Sequence, residues 1–388
     1  MTDTVYTNPE HDELRRQVAR FVAQEVEPNA VAWEAQGCVP REVLRKMGGL
    51  GWLGLLVGAA DGGPGADMVT NVVFQEALSR STSGGFVITV LVHTDMASPH
   101  LVNAGNAEQK RRWLPGVLAG ELITAVAISE PDAGSDVAAL RTRAVRDGAH
   151  YVLDGTKMFI TNGVHADLLF VAARTESAAA RGGRSSHGIS IFAVERNTPG
   201  LRVGRALNKH GWRASDTAEL AFEDCRVPVA NLLGQENGGF YAIMKNFQVE
   251  RIALASMAVG EAQTALDLTW HYVRERKAFG GTLWEQQAVR QRMTMLAARV
   301  EAARQFLYHC AWKIDRKQNA VREVSMLKAL TGELVNDVMY DCQQFHGGAG
   351  YMSETPIERL VRDARVLSIG GGATEVMLEE VAKRWEAA

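Results

Sequence analysis

Apolar residues recur three and four positions apart in the first part of this chain and again in the last part. That spacing places the apolar side chains on one face of a helix. It predicts helices up to about Gly120, and long antiparallel bundle helices from Gly239 to the end. The apolar positions that carry the pattern are Leu14, Val18, Phe21, Val22 and Val26, then Ile252, Ala255, Val259, Ala262, Leu266, Thr269 and Val273, then Leu296, Val300, Ala303, Leu307, Cys310 and Ile314.

The pattern changes to that of strands near Leu122. Short apolar runs rich in β-branched and aromatic residues occur at Ile123–Ile128, Leu168–Ala173, Ile189–Val194 and Ala218–Phe222. Runs of this length and composition, separated by turn residues, are typical of strands. The middle of the chain is therefore expected to form a small β domain.

A turn is also expected inside this β region. Asp154–Gly155 separates Val152–Leu153 from Met158–Thr161, and Asp-Gly between apolar runs is a strong hairpin signal. We therefore expect a strand, a turn and a second strand here. Residues 175–186 read TESAAARGGRSS, which is typical of a flexible surface excursion.

The fold class predicted from this order is α+β and multidomain. An N-terminal all-α domain is expected at residues 1–121 and a small β-barrel-like domain at residues 122–233. A C-terminal four-helix bundle is expected at residues 234–388. The chain has 388 residues, enough for each of these domains to bury a core of its own.

Composition and charge narrow the possible functions. The net charge is −3, which does not favour a nucleic-acid or membrane-surface role, and no apolar run is long enough to span a bilayer. The N-terminus does not resemble a targeting peptide. The four cysteines are scattered singly, so the sequence suggests neither a disulfide framework nor a metal site. We expect a cytoplasmic protein.

Two glycine clusters stand out near the C-terminus. One contains Gly347, Gly348 and Gly350, the other spans residues 370–372, and a short charged helical segment separates them. Glycine lets a backbone approach a ligand closely, and helix starts bind anions, so the two loops could hold a large cofactor. Two ordinary helix caps would look the same, because isolated glycine-rich loops are weak motifs.

Four motifs in a fixed order resolve this ambiguity. They are AISEPDAGSDVAA at residues 127–139, KMFITNG at 157–163, RERKAFG at 274–280 and the run Gln344–Asp363. Together they resemble the acyl-CoA dehydrogenase family of flavoproteins over nearly the whole chain. The resemblance implies an FAD held between the β domain and the C-terminal bundle. It also implies a homotetramer built as a dimer of dimers.

The resemblance assigns residues to the cofactor. Ile128, Ser129, Phe159 and Thr161 match positions around the flavin ring, where donors stabilise charge that develops on reduction. Many relatives have Trp where this chain has Phe159. A second group matches positions that grip the ADP half, largely from a neighbouring subunit. The full set implied to bind FAD is Ile128, Ser129, Gly134, Ser135, Phe159, Ile160, Thr161, Arg276, Phe279, Gln287, Gln344, Gly347, Gly348, Thr374 and Glu375.

The base is where this chain departs from much of the family. The family reaction removes a Cα proton from an acyl-CoA while Cβ gives a hydride to flavin N5. The usual glutamate of the second glycine loop is replaced here by Gly371, and Ala373 replaces a threonine. In the isovaleryl-CoA and long-chain acyl-CoA dehydrogenases, the base sits at the position of Glu250 instead. The resemblance therefore implies Glu250 as the base, and the Gly371 N–H as a donor to the thioester carbonyl.

Glu250 also has a plainer interpretation. The sequence places it near the start of a long helix, where a glutamate is favoured by the helix dipole. It could also pair with Arg251 or be solvated. Burial against the flavin and the acyl chain would instead raise its pKa toward neutrality.

The resemblance also implies substrate contacts by Ser135, Gln248, Arg251 and Gly372. Gln248 stands where some relatives have an acid, so its contact is the least certain match. The helices at residues 93–101 and 240–249, with Gly238 and Gly239, are rich in small residues and are expected to line the acyl pocket. This pattern permits branched or cyclic chains, and we favour straight medium-to-long chains.

Several histidines invite a catalytic or metal-binding interpretation. His346 lacks a nucleophile to pair with, so a structural place or one near the adenine is favoured. His93, Asp95 and His100 fit no standard zinc spacing and are expected to line a loop near the acyl pocket without a metal.

The leading hypothesis is an FAD-dependent acyl-CoA dehydrogenase that passes electrons to an electron-transferring flavoprotein. One alternative is a flavin oxidase or monooxygenase of the same fold that uses oxygen. Another is a non-catalytic, DNA-associated family member, which would need a basic surface and a C-terminal extension.

Overall fold

The computed structural model describes residues 5–176 and 186–385. Helices come first, strands follow, and helices complete the chain, so the predicted α+β order is confirmed. The N-terminal helices are α1 (Pro9–Phe21), α2 (Ala30–Gln36), α3 (Arg41–Gly49), α4 (Met68–Leu78), α5 (Gly84–Leu91), α6 (Ser98–Ala104) and α7 (Ala107–Leu118). Within these ranges, no helix is long and apolar enough to cross a membrane.

The middle region is an eight-stranded sheet. Its order is β6-β7-β3-β2-β4-β5-β8, and β1 pairs in parallel with β4 beside this path. The strands are β1 (Thr124–Ala127), β2 (Arg143–Asp147), β3 (His150–Thr161), β4 (Leu168–Arg174), β5 (Ile189–Glu195), β6 (Leu201–Ala206), β7 (Thr217–Pro228) and β8 (Leu232–Leu233). β4 and β5 are buried almost throughout, because one face covers the core of the sheet and the other packs under helices.

The predicted hairpin at Asp154–Gly155 is wrong. Both residues lie inside the continuous strand β3, which pairs with β7 on either side of a register shift between Leu153 and Gly155. Gly155 has a φ of +149°, and a Cβ there would lie 2.7 Å from the Cα of Thr142. The glycine therefore serves a β-bulge at a close backbone crossing. The excursion predicted at residues 175–186 falls, for residues 177–185, outside the described residues.

The C-terminal region is helical, as expected. Helix α8 runs from Gly239 to Glu275, and a two-stranded hairpin connects it to the next helix. The elements are β9 (Lys277–Ala278), β10 (Gly281–Thr282), α9 (Gln287–Asp315), α10 (Val321–His346), α11 (Pro356–Ala364) and α12 (Thr374–Ala382).

The N-terminal and C-terminal helices share one hydrophobic core. Buried residues of α4 and α5 belong to the same cluster as those of α8, α9 and α10. A buried ion pair crosses this junction. Arg304 of α9 donates from Nε to Oε1 of Glu76 of α4 at 2.6 Å, and the Tyr308 hydroxyl donates to Glu76 Oε2 at 2.7 Å. The carboxylate is fully paired, which a buried charge requires.

Breaking this pair should destabilise the fold. Arg304→Met leaves Glu76 buried without its cation, and we expect a loss of about 3–5 kcal/mol of unfolding free energy in urea titrations. Arg299→Met is the matched control, because Arg299 pairs with Asp337 in a solvent-exposed position. Its loss should stay within about 1 kcal/mol. Equal losses in the two variants would contradict the structural role of the buried pair.

Candidate active site

Glu250 lies well inside α8. The helix begins at Gly239, so Glu250 is about three turns from its start. The expectation that Glu250 sits near a helix start is therefore wrong, because small and polar residues obscure the apolar spacing in the first turns of α8. The helix dipole acts within the first turn and does not explain this glutamate.

The Glu250 carboxyl is buried, with 7% of the residue exposed. Its Oε1 accepts a hydrogen bond from Asn246 Nδ2 at 2.9 Å, one helical turn earlier. Burial raises the pKa of Glu250 to about 8, and the nearby charge of Asp95 adds to the rise. The Asn246 bond and the charge of Arg251 act in the opposite direction. A carboxyl with this pKa can accept a proton near neutral pH.

The second glycine loop rests on the helix that carries Glu250. Gly371 has a φ of +64°, and a Cβ built on it would overlap Leu254 Cδ1. Leu254 is buried one turn after Glu250 on α8. A side chain at position 371 would therefore need both a strained backbone and a displaced Leu254. The structure explains why the loop carries glycine here while the carboxyl lies on α8.

Lys328 fixes this loop, and the sequence reasoning missed it. Its buried Nζ donates to Leu367 O at 2.9 Å and to Gly372 O at 2.5 Å. Burial lowers the pKa of Lys328 to about 8, and the nearby positive charge of Arg251 lowers it further. The sequence does contain one indication of this role. Lys328 is spaced four residues after Val324 and seven before Val335, on the face of α10 that is buried.

Three of the other residues expected at the substrate end, Gln248, Arg251 and Gly372, are half-buried. Arg251 places its guanidinium 5.7 Å from the ring centre of Phe247, and its buried Nε has no hydrogen-bond partner among the described residues. Gly134 and Ser135 lie in an exposed loop after β1.

A cavity of about 350 Å³ adjoins Glu250 through Asn246, which lines it. Asp95 and His100 line it too, but they lie on a π-helical turn (Val92–Ala97) and on α6, so the expected loop is wrong. His93 instead donates from Nε2 to Val117 O at 3.0 Å. No cluster of three potential metal ligands occurs in the described parts of the chain.

A second cavity of about 390 Å³ gathers residues of the first glycine loop. Arg276, His346, Gly347 and Gly348 line it. His346 stacks on Tyr272 with ring centres 4.4 Å apart and donates from Nδ1 to Cys342 O at 2.8 Å, which supports its structural interpretation. The cavity is within the size range of small-molecule sites. Three further residues expected at the ADP half, Phe279, Gln287 and Gln344, are exposed.

The residues expected around the flavin ring lie at the ends of β1 and β3. Phe159 has a φ of +63° and is 67% exposed, an unusual placement for a large aromatic residue. Thr161 ends β3 and is half-buried. The Ile160 side chain is buried in the core of the sheet, so only its main chain could contact a cofactor.

A buried lysine supports the segment after β1. Lys157 Nζ donates to Ile128 O at 2.9 Å and to Glu130 Oε1 at 2.8 Å, and Met158 N donates to Ser129 O at 2.9 Å. These bonds hold residues 128–130 against β3. The sequence reasoning treated this lysine only as part of a motif.

The first turn of α12 completes the set of predicted positions. The Thr374 hydroxyl donates to Glu333 Oε1 at 2.7 Å, and Glu375 is exposed. Thr374 follows Ala373, which stands where relatives have a threonine, and it is among the residues implied to bind FAD. In this structure its hydroxyl is already bonded within the protein.

Comparisons with known proteins agree with this architecture. Family models of the acyl-CoA dehydrogenase N-terminal, middle and C-terminal domains match residues 8–121, 125–225 and 237–385. The long-chain specific acyl-CoA dehydrogenase of Sus scrofa is 41% identical over 377 residues, covering 96% of this chain and 86% of the relative. The chain belongs to the acyl-CoA dehydrogenase family. The resemblance stated from the four motifs is confirmed.

Other relatives fit the same pattern. The isovaleryl-CoA dehydrogenase of Pongo abelii is 37% identical over 369 residues, covering 95% of this chain and 86% of the relative. The crystal structure of acyl-CoA dehydrogenase from Geobacillus kaustophilus superposes with a TM-score of 0.95 at 39% identity, covering 99% of this chain and 100% of that one. The predicted fold is confirmed.

Membership of the acyl-CoA dehydrogenase family makes this chain an oxidoreductase with FAD as its cofactor. The structure fits that group in two places. Phe159 presents an exposed aromatic surface beside the β1 end, where a planar ring system could stack. Arg276 and the Gly347–Gly348 backbone line a cavity suited to the diphosphate part.

The contact between Gly371 and Leu254 predicts opposite outcomes at neighbouring glycines. Gly371→Ala should lower Tm and slow acyl-CoA oxidation at least tenfold, because the new Cβ strains a backbone with positive φ and must displace the buried Leu254 side chain. Gly370→Ala is the control, because Gly370 has no positive φ and a Cβ there would meet only ordinary contacts. We expect Gly370→Ala to stay near wild type in thermal melts and steady-state rates. Similar behaviour of both variants would contradict the packing described here.

Proposed function

We propose that this protein catalyses the α,β-dehydrogenation of a fatty acyl-CoA to the trans-2-enoyl-CoA, with Glu250 as the base. The observation that carries the proposal is the placement of the Glu250 carboxyl. It is buried, held by Asn246 beside a cavity, and has its pKa raised to about 8. The usual loop position for the base is Gly371, where a side chain would strain the backbone and displace Leu254.

The residues divide the work as follows. Glu250 takes the Cα proton on a carboxylate oxygen, which requires the ionised form at the moment of transfer. The Gly371 N–H donates to the thioester carbonyl and so makes the Cα–H more acidic. FAD, when bound, supplies the acceptor for the hydride that leaves Cβ. Lys328 holds the Gly371–Gly372 segment in place for this task.

Substrate contacts are proposed for Ser135, Gln248, Arg251 and Gly372, which match family positions. A straight medium-to-long acyl chain is the proposed substrate class. The 41% identity to a long-chain specific dehydrogenase and the small residues Ala97, Ser98 and Ala242 support it.

The partners proposed are an electron-transferring flavoprotein and three further copies of this chain, arranged as a dimer of dimers in the cytoplasm. Large apolar residues on the C-terminal helices favour association, because isolated monomers rarely expose so many. The hairpin Phe279 is 92% exposed, and Met295, Leu330 and Tyr340 are also exposed.

The first test of this function is Glu250→Gln. Wild-type protein should lose its oxidised flavin absorbance when titrated anaerobically with acyl-CoAs of several lengths. Glu250→Gln should retain FAD but react at least 10³-fold more slowly, since an amide cannot take the proton. Glu275→Gln, an exposed change at the end of the same helix, is the control. Equal reduction of Glu250→Gln and wild type would show that another group is the base.

The hydrogen bond from Asn246 predicts a pH effect. Glu250 must be ionised to act, so kcat/KM should rise with pH through a midpoint near the pKa of about 8. The Asn246 bond favours the ionised form, so Asn246→Leu should move the midpoint to higher pH by about one unit. The check is the pH profile of kcat/KM for both proteins. An unchanged midpoint would contradict the role assigned to Asn246.

A comparison of electron acceptors separates dehydrogenase from oxidase. We expect the reduced protein to pass electrons to an electron-transferring flavoprotein and to react slowly with oxygen. Stopped-flow reoxidation with each acceptor measures this difference. Fast reoxidation by oxygen alone would favour the oxidase alternative.

A further inference from the structure

The cavity beside Glu250 has an apolar side and a polar wall. Trp52, Leu53, Leu56, Val57 and Val249 supply apolar lining. The polar lining of the cavity includes Asn71, Thr94 and Ser98 as well as Asp95, His100 and Asn246. We call the last three, which are only 1%, 3% and 3% exposed, the polar wall. A plain hydrocarbon chain gains nothing from buried polar groups, whose burial is unfavourable unless hydrogen bonds compensate it.

Two atoms of this wall lack such compensation within the chain. His100 Nε2 and Asn246 Oδ1 are buried without a hydrogen-bond partner among the residues that the structure describes. The Asn246 amide nitrogen faces acceptors, namely Glu250 Oε1, Asp95 O and Met96 O, so its oxygen is left for another partner. Buried groups of this kind are normally paired with a ligand or an ordered water.

The two unpaired atoms, His100 Nε2 and Asn246 Oδ1, indicate which chemical group could bond to them. Asn246 Oδ1 accepts only, so the partner must donate a hydrogen bond. Burial lowers the pKa of His100 to about 4, so its ring is neutral and offers either a donor or an acceptor nitrogen. A hydroxyl group donates and accepts without carrying charge, and it meets both requirements.

A negatively charged ligand group fits this wall poorly. The Asp95 carboxylate accepts from Asn71 Nδ2 and Gln75 Nε2 at 2.8 Å and from the Thr94 hydroxyl at 2.6 Å. These donors are neutral, so a ligand carboxylate would face Asp95 and Glu250 without a buried cation between them. Lys245 also lines the cavity, but its side chain is exposed to solvent.

We propose that the acyl group accepted by this cavity carries a hydroxyl substituent, which bonds to His100 and Asn246. The inference rests on the proposed function, since it concerns the substrate of the same site. It makes the polar wall a specificity determinant that distinguishes hydroxylated acyl chains from unsubstituted chains of the same length. A site built to bind a polar group selects against the analogue that lacks it, because its buried groups then stay unpaired.

The test compares matched acyl-CoA thioesters. One set is unsubstituted, and the other carries one hydroxyl moved along the chain from carbon 4 to the terminal carbon. Anaerobic flavin reduction by each is followed with wild-type protein. For at least one hydroxyl position, we expect kcat/KM to exceed that of the unsubstituted chain by about tenfold or more. If no hydroxylated chain exceeds its unsubstituted partner, ordered water fills the wall and the inference is wrong.

Variants of His100 test whether this residue causes the preference for hydroxylated thioesters. His100→Phe should reduce the ratio of hydroxylated to unsubstituted kcat/KM to near one, while His100→Gln should keep part of it. His150→Phe, at the first residue of β3 and outside the cavity lining, should leave the ratio unchanged. A ratio that survives His100→Phe overturns the assignment of the wall. Reduction by neither set of thioesters would instead refute the proposed dehydrogenase function, and this inference with it.

Discussion

The contact between Gly371 and Leu254 constrains the rest of this active site. The glycine loop lies against α8 so closely that a side chain at position 371 would strain the backbone and displace Leu254. In the proposed mechanism the carboxyl comes from another element instead, because α8 carries Glu250 one turn before Leu254. The loop with Gly371 and the helix with Glu250 therefore have to be considered together. Lys328 anchors the loop by donating hydrogen bonds to Gly372 O within it and to Leu367 O just before it.

The same packing accounts for the electrostatics of the proposed base. Taking a carboxyl out of water disfavours its charge, and Glu250 is surrounded by helix and cavity wall with one hydrogen bond to its side chain. The hydrogen bond from Asn246 limits the rise in the pKa of Glu250 and fixes the position of Oε1. Because Asn246 also lines the neighbouring cavity, the residue that bonds to Glu250 is part of the surface that we propose the acyl chain contacts.

The sequence predicted the order of elements, because that order depends on residue identity and spacing. The combination of Gly371 with Glu250 was implied by the family resemblance and stays a prediction. The sequence did not predict where α8 begins, since the small and polar residues of its first turns hide the apolar period. The Asp154–Gly155 pair predicted a hairpin where the structure has a β-bulge, because the local sequence does not show that the Thr142 backbone lies next to Gly155. Lys328 was missed for a similar reason, because its role depends on contacts between residues distant in the chain. Asp95 and His100 were expected near the acyl pocket, but the sequence did not show that they form one cavity wall with Asn246.

The most direct test of the account is exchange of the Cα proton without any oxidation. An acyl-CoA with sulfur in place of Cβ has an acidic Cα–H but no hydrogen at position 3 to give up. With FAD-loaded protein in deuterated water, mass spectrometry of the recovered thioester should show deuterium at Cα for wild type. The same experiment with Glu250→Gln should show no incorporation above the enzyme-free rate. Equal incorporation by the two proteins would contradict the assignment of Glu250 as the base.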